Sequence, residues 1–587
     1  MDLRKWVVEN LKSADRLTAL LIIISICAII IRSIPGWLYP AWGSDYGIYF
    51  GITQDFLDHP QLFQPYSGWG TSYVYFPVLY VMTALMQGLT GLPLDVVMPR
   101  MAPVFGGLTI PILYLTVRDL FNNRKVALLS AAFLAANPFQ IYETSHAAPL
   151  TVGHFFMALS ILFFVKYRKD RFWTGPLYVS TVLLIGSHHL TTYFYLLFLI
   201  AVILYRNLRE KEWTPHFRED LFYFFTTVTL TFSYWILIAT PVFRADFESA
   251  LHMDPWVIIG IFYILTGAIF VAIPYLRSWP RFRALVKWKL SWPTPKEDVF
   301  KVAVIAGCCC AFTLFFSFHH IYGTGFIFLP SSTLFLLPIF ITLGIAAAGY
   351  RYLDRFPERA FIKAWFLAIS ASFVFAVVTH NTAIYSFRHL EYMAYPLSVM
   401  AAVGVWEMRR YLKKENLRQL LTVSIGSLLV ISAVTAYGVQ SSTMGFEESI
   451  SNEAMGAANW MKGNVSTNQT VASDHRLSQI LWAKGFRVTS DDAYVMWFTD
   501  NWTNAYDELN STGKNYGRIG FVFIDDIMKD KGIQSGNNET PRPMTNESYE
   551  KFSRPPFDLL YRSESESGQK WAEVYSVNWS YIEKNRG

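Results

Sequence analysis

Charge is what this chain has least of. Of its 587 residues only 16% are Asp, Glu, Lys or Arg, where a soluble domain carries roughly 25%. That shortage, beside 53% hydrophobic residues, excludes an ordinary soluble enzyme and points to a chain built for lipid. Cysteine is nearly absent. The four, Cys27 and Cys308 to Cys310, sit inside apolar runs, with no metal-ligand spacing and no extracellular disulfide pattern. The net charge of +6 forms no nucleic-acid-binding tract, because Lys and Arg fall in short loops between apolar runs, so no nucleic-acid partner is expected. A cleavable signal peptide is also missing: the first apolar run, 17–31, reads as a span and no small-residue cleavage site follows it.

What is present in quantity is apolar helix. Arg4, Lys5, Lys12 and Arg16 precede the first run, which puts the N-terminus in the cytosol by the positive-inside rule. Alternation from there gives about thirteen spans, each at or somewhat under the roughly 20 residues a bilayer needs. After 17–31 they are 96–120, 126–138, 150–165, 173–186, 192–205, 221–242, 256–275, 302–318, 332–348, 364–379, 393–405 and 420–436. The stretch 73–92 breaks the pattern, since counting it as a span would force Arg118, Arg124 and Lys125 outside. It reads instead as one helix in the outer interface, which makes 33–94 a single long first external loop. The second external loop is 139–149.

At 438 the texture changes. Residues 1–437 read as a transmembrane domain and 438–587 as a soluble one outside the membrane. A helix at 448–460 with strands at 519–524 and 572–577 predicts a small α/β fold there. Seven Asn-X-Ser/Thr sequons, at Asn464, Asn468, Asn501, Asn510, Asn538, Asn546 and Asn578, agree with that outer placement. The fold class is therefore a polytopic α-helical membrane protein with a small extracytoplasmic C-terminal domain.

Several ionisable groups fall on the outer face. Asp45 lies in Trp42-Gly43-Ser44-Asp45-Tyr46-Gly47, just past the first span, and a carboxylate at a bundle mouth is a functional candidate. The alternative is that it caps a loop or a short helix. Glu143, His146, His188, His189, His319, His320, Arg388 and Glu391 share that face. The paired histidines read equally as interfacial anchors. Asp55 and Asp58 read as solvated loop charges, and His154 and Glu407 as groups satisfied near span ends. Arg388 opens a span in Arg388-His389-Leu390-Glu391-Tyr392, where a guanidinium grips a phosphate with two parallel hydrogen bonds or else snorkels to water.

Taken in order, these features resemble the GT-C superfamily of membrane glycosyltransferases, which use polyprenyl-phosphate-linked sugars. The likeness rests on Ser44-Asp45-Tyr46-Gly47 in the first external loop, the proline-containing Tyr75-Phe76-Pro77 and Arg100. It continues through Arg118-Asp119-Leu120-Phe121, Ala131 to Pro138 leading into the second loop, Arg388 before Tyr395-Pro396, and the outer tail. Members include oligosaccharyltransferase catalytic subunits, protein O-mannosyltransferases and aminoarabinose transferases. The resemblance implies sugar transfer from a polyprenyl (dolichyl) phosphate to a lipid-linked glycan or protein at the outer face of the cell membrane. Asp45 would act on the acceptor hydroxyl and Arg388 on the leaving phosphate. Glu143, His146, His188, His189 and Glu391 would line the substrate, and Trp42, Tyr46 and Trp69 would stack on sugar rings. A divalent cation, Mg or Mn, would sit on Asp45 with the donor phosphate.

The chain departs from the family in two places. Where relatives commonly place a second acidic residue it reads His146-Ala147-Ala148-Pro149, leaving Glu143 as the loop's carboxylate, and its tail lacks a Trp-Trp-Asp signature. The first argues against a two-carboxylate metal site, leaving one Asp with the donor phosphate to hold a cation, and the second points to single-sugar transfer. Outer sequons without a disulfide framework would suit an archaeon. The rival readings are a transporter or flippase for a lipid-linked substrate and a non-catalytic membrane scaffold. The gathering of charge at one face and the lack of an internal repeat favour the enzyme.

Overall fold

The computed structural model describes residues 15–63, 68–209, 212–243, 253–281, 296–319, 328–379, 384–438, 447–489, 492–499, 502–535 and 541–585. His320, the N-terminal Arg4, Lys5 and Lys12, and the sequons at Asn501 and Asn538 lie outside the described residues.

Helix α1 (Arg16–Leu38) begins where the Asp15 carboxylate accepts the Thr18 amide, and it runs past the apolar stretch to take in Arg32. Strand β1 (Ala41–Trp42) follows it. The helical part continues through α2 (Tyr46–Asp58), α3 (Val78–Thr90), α4 (Leu94–Phe121), α5 (Arg124–Ala135), α6 (Pro138–Glu143), α7 (Pro149–Tyr167), α8 (Thr174–Ile185) and α9 (His189–Arg209). It is completed by α10 (Phe217–Leu237), α11 (Pro255–Ser278), α12 (Lys296–Phe315), α13 (Ser332–Tyr352), α14 (Arg359–Thr379), α15 (His389–Tyr411) and α16 (Glu415–Val434). Among the described residues nine helices are long and apolar enough to cross a membrane. The chain is an integral membrane protein. Helices α4, α7 and α15 bury most of their residues and form the centre of the bundle, whereas α1 leaves Ile23, Ile26 and Ile30 exposed, as a lipid-facing helix does. Of the other expected spans, α5 and α8 have 12 residues each, about 18 Å of helix, short of a bilayer core.

Three local expectations change. The single helix at 73–92 is instead a 3-10 turn, Tyr73–Tyr75, and then α3, because Pro77 cannot continue a helix and occupies the N-cap. The span 126–138 breaks before Asn137, whose side chain caps α6 through the Gln140 amide, so Glu143 ends a helix rather than lying in an open loop. The stretch 33–94, expected as one long external loop, contains helix α2, which its mixed, glycine-containing sequence did not announce.

The tail comprises β2 (Ser449–Ile450), α17 (Asn452–Asn464), β3 (Thr470–Ala472), α18 (His475–Ala483), β4 (Arg487–Val488), α19 (Trp502–Tyr516), β5 (Ile519–Asp525), β6 (Phe557–Glu564) and β7 (Trp571–Val577). Its five-stranded sheet has the order β4-β3-β5-β7-β6. Strand β3 is parallel to β4 and β5, and β7 is antiparallel to β5 and β6. Ile519, Val522, Phe523 and Ile524 of β5 are all buried, the near-continuous apolar run of a strand covered on both faces. The helix expected at 448–460 starts later. Ser451 accepts the Ala454 amide at 3.1 Å to cap α17, and Ser449 and Ile450 are drawn into strand pairing. Their partner is β1, with Ala41 opposite Ile450 and Trp42 opposite Ser449. The first loop and the tail are thus one hydrogen-bonded structure.

Candidate active site

The approach to Asp45 is built around Gly43. Its φ of +107° is a conformation that side chains avoid, and a Cβ there would lie 3.0 Å from the His146 ring. The turn lets the Gly43 amide donate to the Glu448 carbonyl at 3.2 Å and the Gly43 carbonyl accept the Tyr46 amide at 3.2 Å, which starts α2. Asp45 then stands at the N-cap of α2, yet its side chain makes no capping hydrogen bond. Capping is therefore not what holds this carboxylate.

Its partners come from the tail. Gln479 Nε2 donates to Asp45 Oδ1 at 3.2 Å, and His475 Nε2 lies 3.4 Å from the same oxygen. The Tyr49 hydroxyl is 3.5 Å from Oδ2. The approach is this close because Gly47 of α2 packs on the α18 backbone, where a Cβ would fall 2.4 Å from the Gln479 carbonyl carbon. About a third of the Asp45 side chain remains exposed. Burial disfavours its charge, but the hydrogen bond and charge of His475, with Gln479 and the Arg388 guanidinium, outweigh it and hold the carboxyl below its ordinary range.

The start of α18 is itself fixed from within. Asp474 caps the helix by accepting the Leu477 amide at 3.0 Å, and the His475 amide donates to the Gln534 carbonyl at 3.0 Å. Arg476, fully buried, donates to Asp474 at 2.9 Å, to both oxygens of Asp525 at 3.0 Å and to the Ser449 carbonyl at 2.8 Å. Gln479 is also fully buried, and its Oε1 has no hydrogen-bond partner among the described residues. An orphaned buried carbonyl costs about 1–3 kcal/mol. The carboxylate explains it, since only the amide's NH2 end can face Asp45.

Across from this group Arg388 donates to Glu143 Oε2 at 2.6 Å, with a third of the arginine side chain exposed. Burial raises the Glu143 carboxyl above its ordinary value against the pull of Arg388. His146 belongs to a clasp. Its Nε2 meets Glu448 Oε2 at 2.9 Å, Ser44 donates to Glu448 Oε1 at 3.1 Å, and the Tyr142 hydroxyl also reaches Glu448.

The other expected site residues divide. Trp42 is buried with Tyr39 and His146 stacked on it and its Nε1 donating to Ser145 at 3.0 Å, so it wedges the loop and offers no open ring to a sugar. Tyr46 is likewise buried, against Phe50. Glu391 is buried in the bundle 3.2 Å from His154, away from solvent. His188 contacts Thr191 at 2.9 Å and His189 packs on Phe76. His319 is exposed at the end of α12 and bonds the Phe315 carbonyl. Trp69 is the aromatic that stands beside the site, edge-on to His475 with ring centres 6.0 Å apart.

The tail residues His475 and Gln479 were not visible as site residues. The structure makes Val471 to Gln479 the end of a strand, an Asp cap and a helix, and nothing in that stretch of sequence points to a carboxylate 430 positions earlier. The donor set also bears on a divalent cation. Among the described residues no three His, Cys, Asp or Glu side chains converge as metal ligands, Glu143 is committed to Arg388, and Asp45 Oδ1 already faces two nitrogen groups. These residues do not fit a metal site of their own.

Residues 75–238 match the model of the family of dolichyl-phosphate-mannose-protein mannosyltransferases. The structure superposes on apo oligosaccharyltransferase from Archaeoglobus fulgidus with a TM-score of 0.55 at 13% identity, covering 87% of this chain and 70% of that one. The chain has the GT-C glycosyltransferase fold. A second structure from that organism, the oligosaccharyltransferase AglB with an inhibitory peptide and a dolichol-phosphate, superposes with a TM-score of 0.54 at 13% identity over 87% of this chain and 69% of that one. No curated protein matches the chain in sequence. Within the GT-C fold the segment matched in sequence holds Glu143, His146, His188 and His189; Asp45, Arg388 and the tail lie outside it.

Proposed function

We propose that this chain transfers one hexosyl or pentosyl unit from a polyprenyl phosphate to the hydroxyl of a lipid-linked glycan or a protein. Asp45 is the base and Arg388 the phosphate grip. The observation that carries the reading is that Asp45 stands at a helix cap without capping. Its carboxylate is held ionised by donors from outside its own helix, feels the charge of Arg388, and stays about a third exposed. In the reaction the acceptor O–H bond breaks and its proton passes to Asp45 as the oxygen bonds to the anomeric carbon. The bond from that carbon to the phosphate oxygen breaks, and the lipid phosphate leaves with the electron pair.

Arg388, aligned by Glu143, neutralises the charge that collects on that phosphate. One displacement inverts the anomeric centre. The dolichol-phosphate bound by the structurally similar archaeal oligosaccharyltransferase supports a polyprenyl phosphate as donor. Positive charge before the first span supports a cytosolic N-terminus, with Asp45, residues 33–94 and 139–149, and the tail from 438 on the outer side of a membrane part spanning 1–437.

The test is release of free polyprenyl phosphate from labelled polyprenyl-phosphate sugars, with purified protein in nanodiscs and a lipid extract as acceptor. Asp45→Asn should lower the rate by about a hundredfold or more, the usual share of a general base. Turnover near that of the unaltered protein would end the base assignment. Release that falls on adding chelator would show a cation brought in with the donor phosphate.

A further inference from the structure

We infer that the soluble tail is part of the catalytic centre, with His475, backed by Gln479, acting as the positioning residue that aims the Asp45 carboxylate. This rests on the proposed role of Asp45. Positions 475 and 479 are one helical turn apart on α18 and present one face, and both side chains converge on Oδ1 of Asp45, at 3.4 and 3.2 Å. With Oδ1 occupied, Oδ2 is the oxygen left for an acceptor, its one hydrogen-bond contact among the described residues being the Tyr49 hydroxyl at 3.5 Å.

The fold goes to some length to keep the two nitrogen groups there. Arg476 and Asp474 lock the first turn of α18, Gly47 lets α2 lie on it, and among the described residues the Gln479 oxygen is left unpartnered in the process. An imidazole and an amide thus face the carboxylate where a cation would otherwise balance its charge. Among the described residues the ionisable groups around Asp45 come from three elements: His475 on α18, Tyr49 on α2, and Arg388 before α15. His475 and Asp45 touch, whereas Arg388 acts through its charge.

The experiment compares His475→Ala, His475→Gln and Lys484→Ala in the full chain in nanodiscs. Lys484 lies beyond the end of α18, where it bonds Asn459, and serves as the control for disturbance of the tail. His475→Ala should lower kcat by about ten- to a hundredfold, the span of a charge-assisted hydrogen bond, with KM for the donor little changed. Its pH profile should move as well. Loss of the imidazole lets the Asp45 carboxyl rise toward its ordinary value, so the acid limb of kcat shifts to higher pH. His475→Gln keeps a donor without the charge and should recover part of the rate but not the limb. A uniform fall with an unmoved acid limb would overturn the inference, as would an equal loss in Lys484→Ala. Failure of the base reading looks different, because there Asp45→Asn itself retains turnover.

Discussion

Arg476→Met is the most quantitative test of how the site is held. The guanidinium is fully buried and satisfies Asp474, both oxygens of Asp525 and the Ser449 carbonyl. Removing it strands two buried carboxylates, and breaking a buried ion pair from one side costs about 3–5 kcal/mol. A domain of this size has only about 5–15 kcal/mol in hand. At about 1.4 kcal/mol per tenfold, opening of the tail should become roughly a hundred- to several-thousandfold more frequent. Hydrogen exchange of the β5 amides, followed in nanodiscs so that the membrane part stays intact, reads this directly.

The variant carrying Arg476→Met with Asp474→Asn and Asp525→Asn should regain most of the protection. It removes the stranded charges, and Asn caps helices about as well as Asp at both positions. Exchange accelerated less than tenfold in Arg476→Met would refute the argument. Because Ser449 pairs with Trp42, the same variant should also loosen β1 and slow transfer.

Two further outcomes follow from the geometry. Burial opposes a proton on His146, but Glu448 overrides it and raises the imidazole above its usual 6.5, while His146 in turn outweighs burial and lowers Glu448 below 4.5. The histidine's contribution is whole below pH 6.5 and lost as pH rises through the raised value; that of Glu448 is whole above 4.5 and lost as pH falls through the lowered one. The tail's Tm should therefore peak between pH 4.5 and 6.5, and His146→Asn should flatten the alkaline fall. Arg388→Lys keeps the charge but loses the planar guanidinium that bonds Glu143 through Nη1 and would grip a phosphate with its fork. It should cut donor turnover by about tenfold or more, and an unchanged rate would remove Arg388 from the phosphate site.

Much of the architecture was written in local pattern. Apolar runs bounded by basic turns give membrane helices whatever their neighbours, because an unpaired backbone in lipid leaves the chain little else to form. The apolar run of β5 and the polar texture past residue 438 pointed to an α/β tail in the same way. Asp45, Glu143 and Arg388 stood out because charge at a bundle mouth is costly to keep. Breaks inside elements were harder to see, since Pro77 and Asn137 interrupt stretches whose composition alone still favours helix.

The sequence by itself determined a membrane protein that resembles the GT-C superfamily, with a carboxylate just after its first helix. Only the tertiary structure decided what that carboxylate faces. A two-residue strand pair, a glycine that admits a second helix, and a buried arginine bring His475 and Gln479 to Asp45 across more than 400 residues. The physical reason is range: helix and strand preferences act over a few neighbours, whereas hydrogen-bond partners are set by packing, which no local pattern records. The same holds for Trp42, whose type suggested a sugar platform and whose packing makes it a wedge.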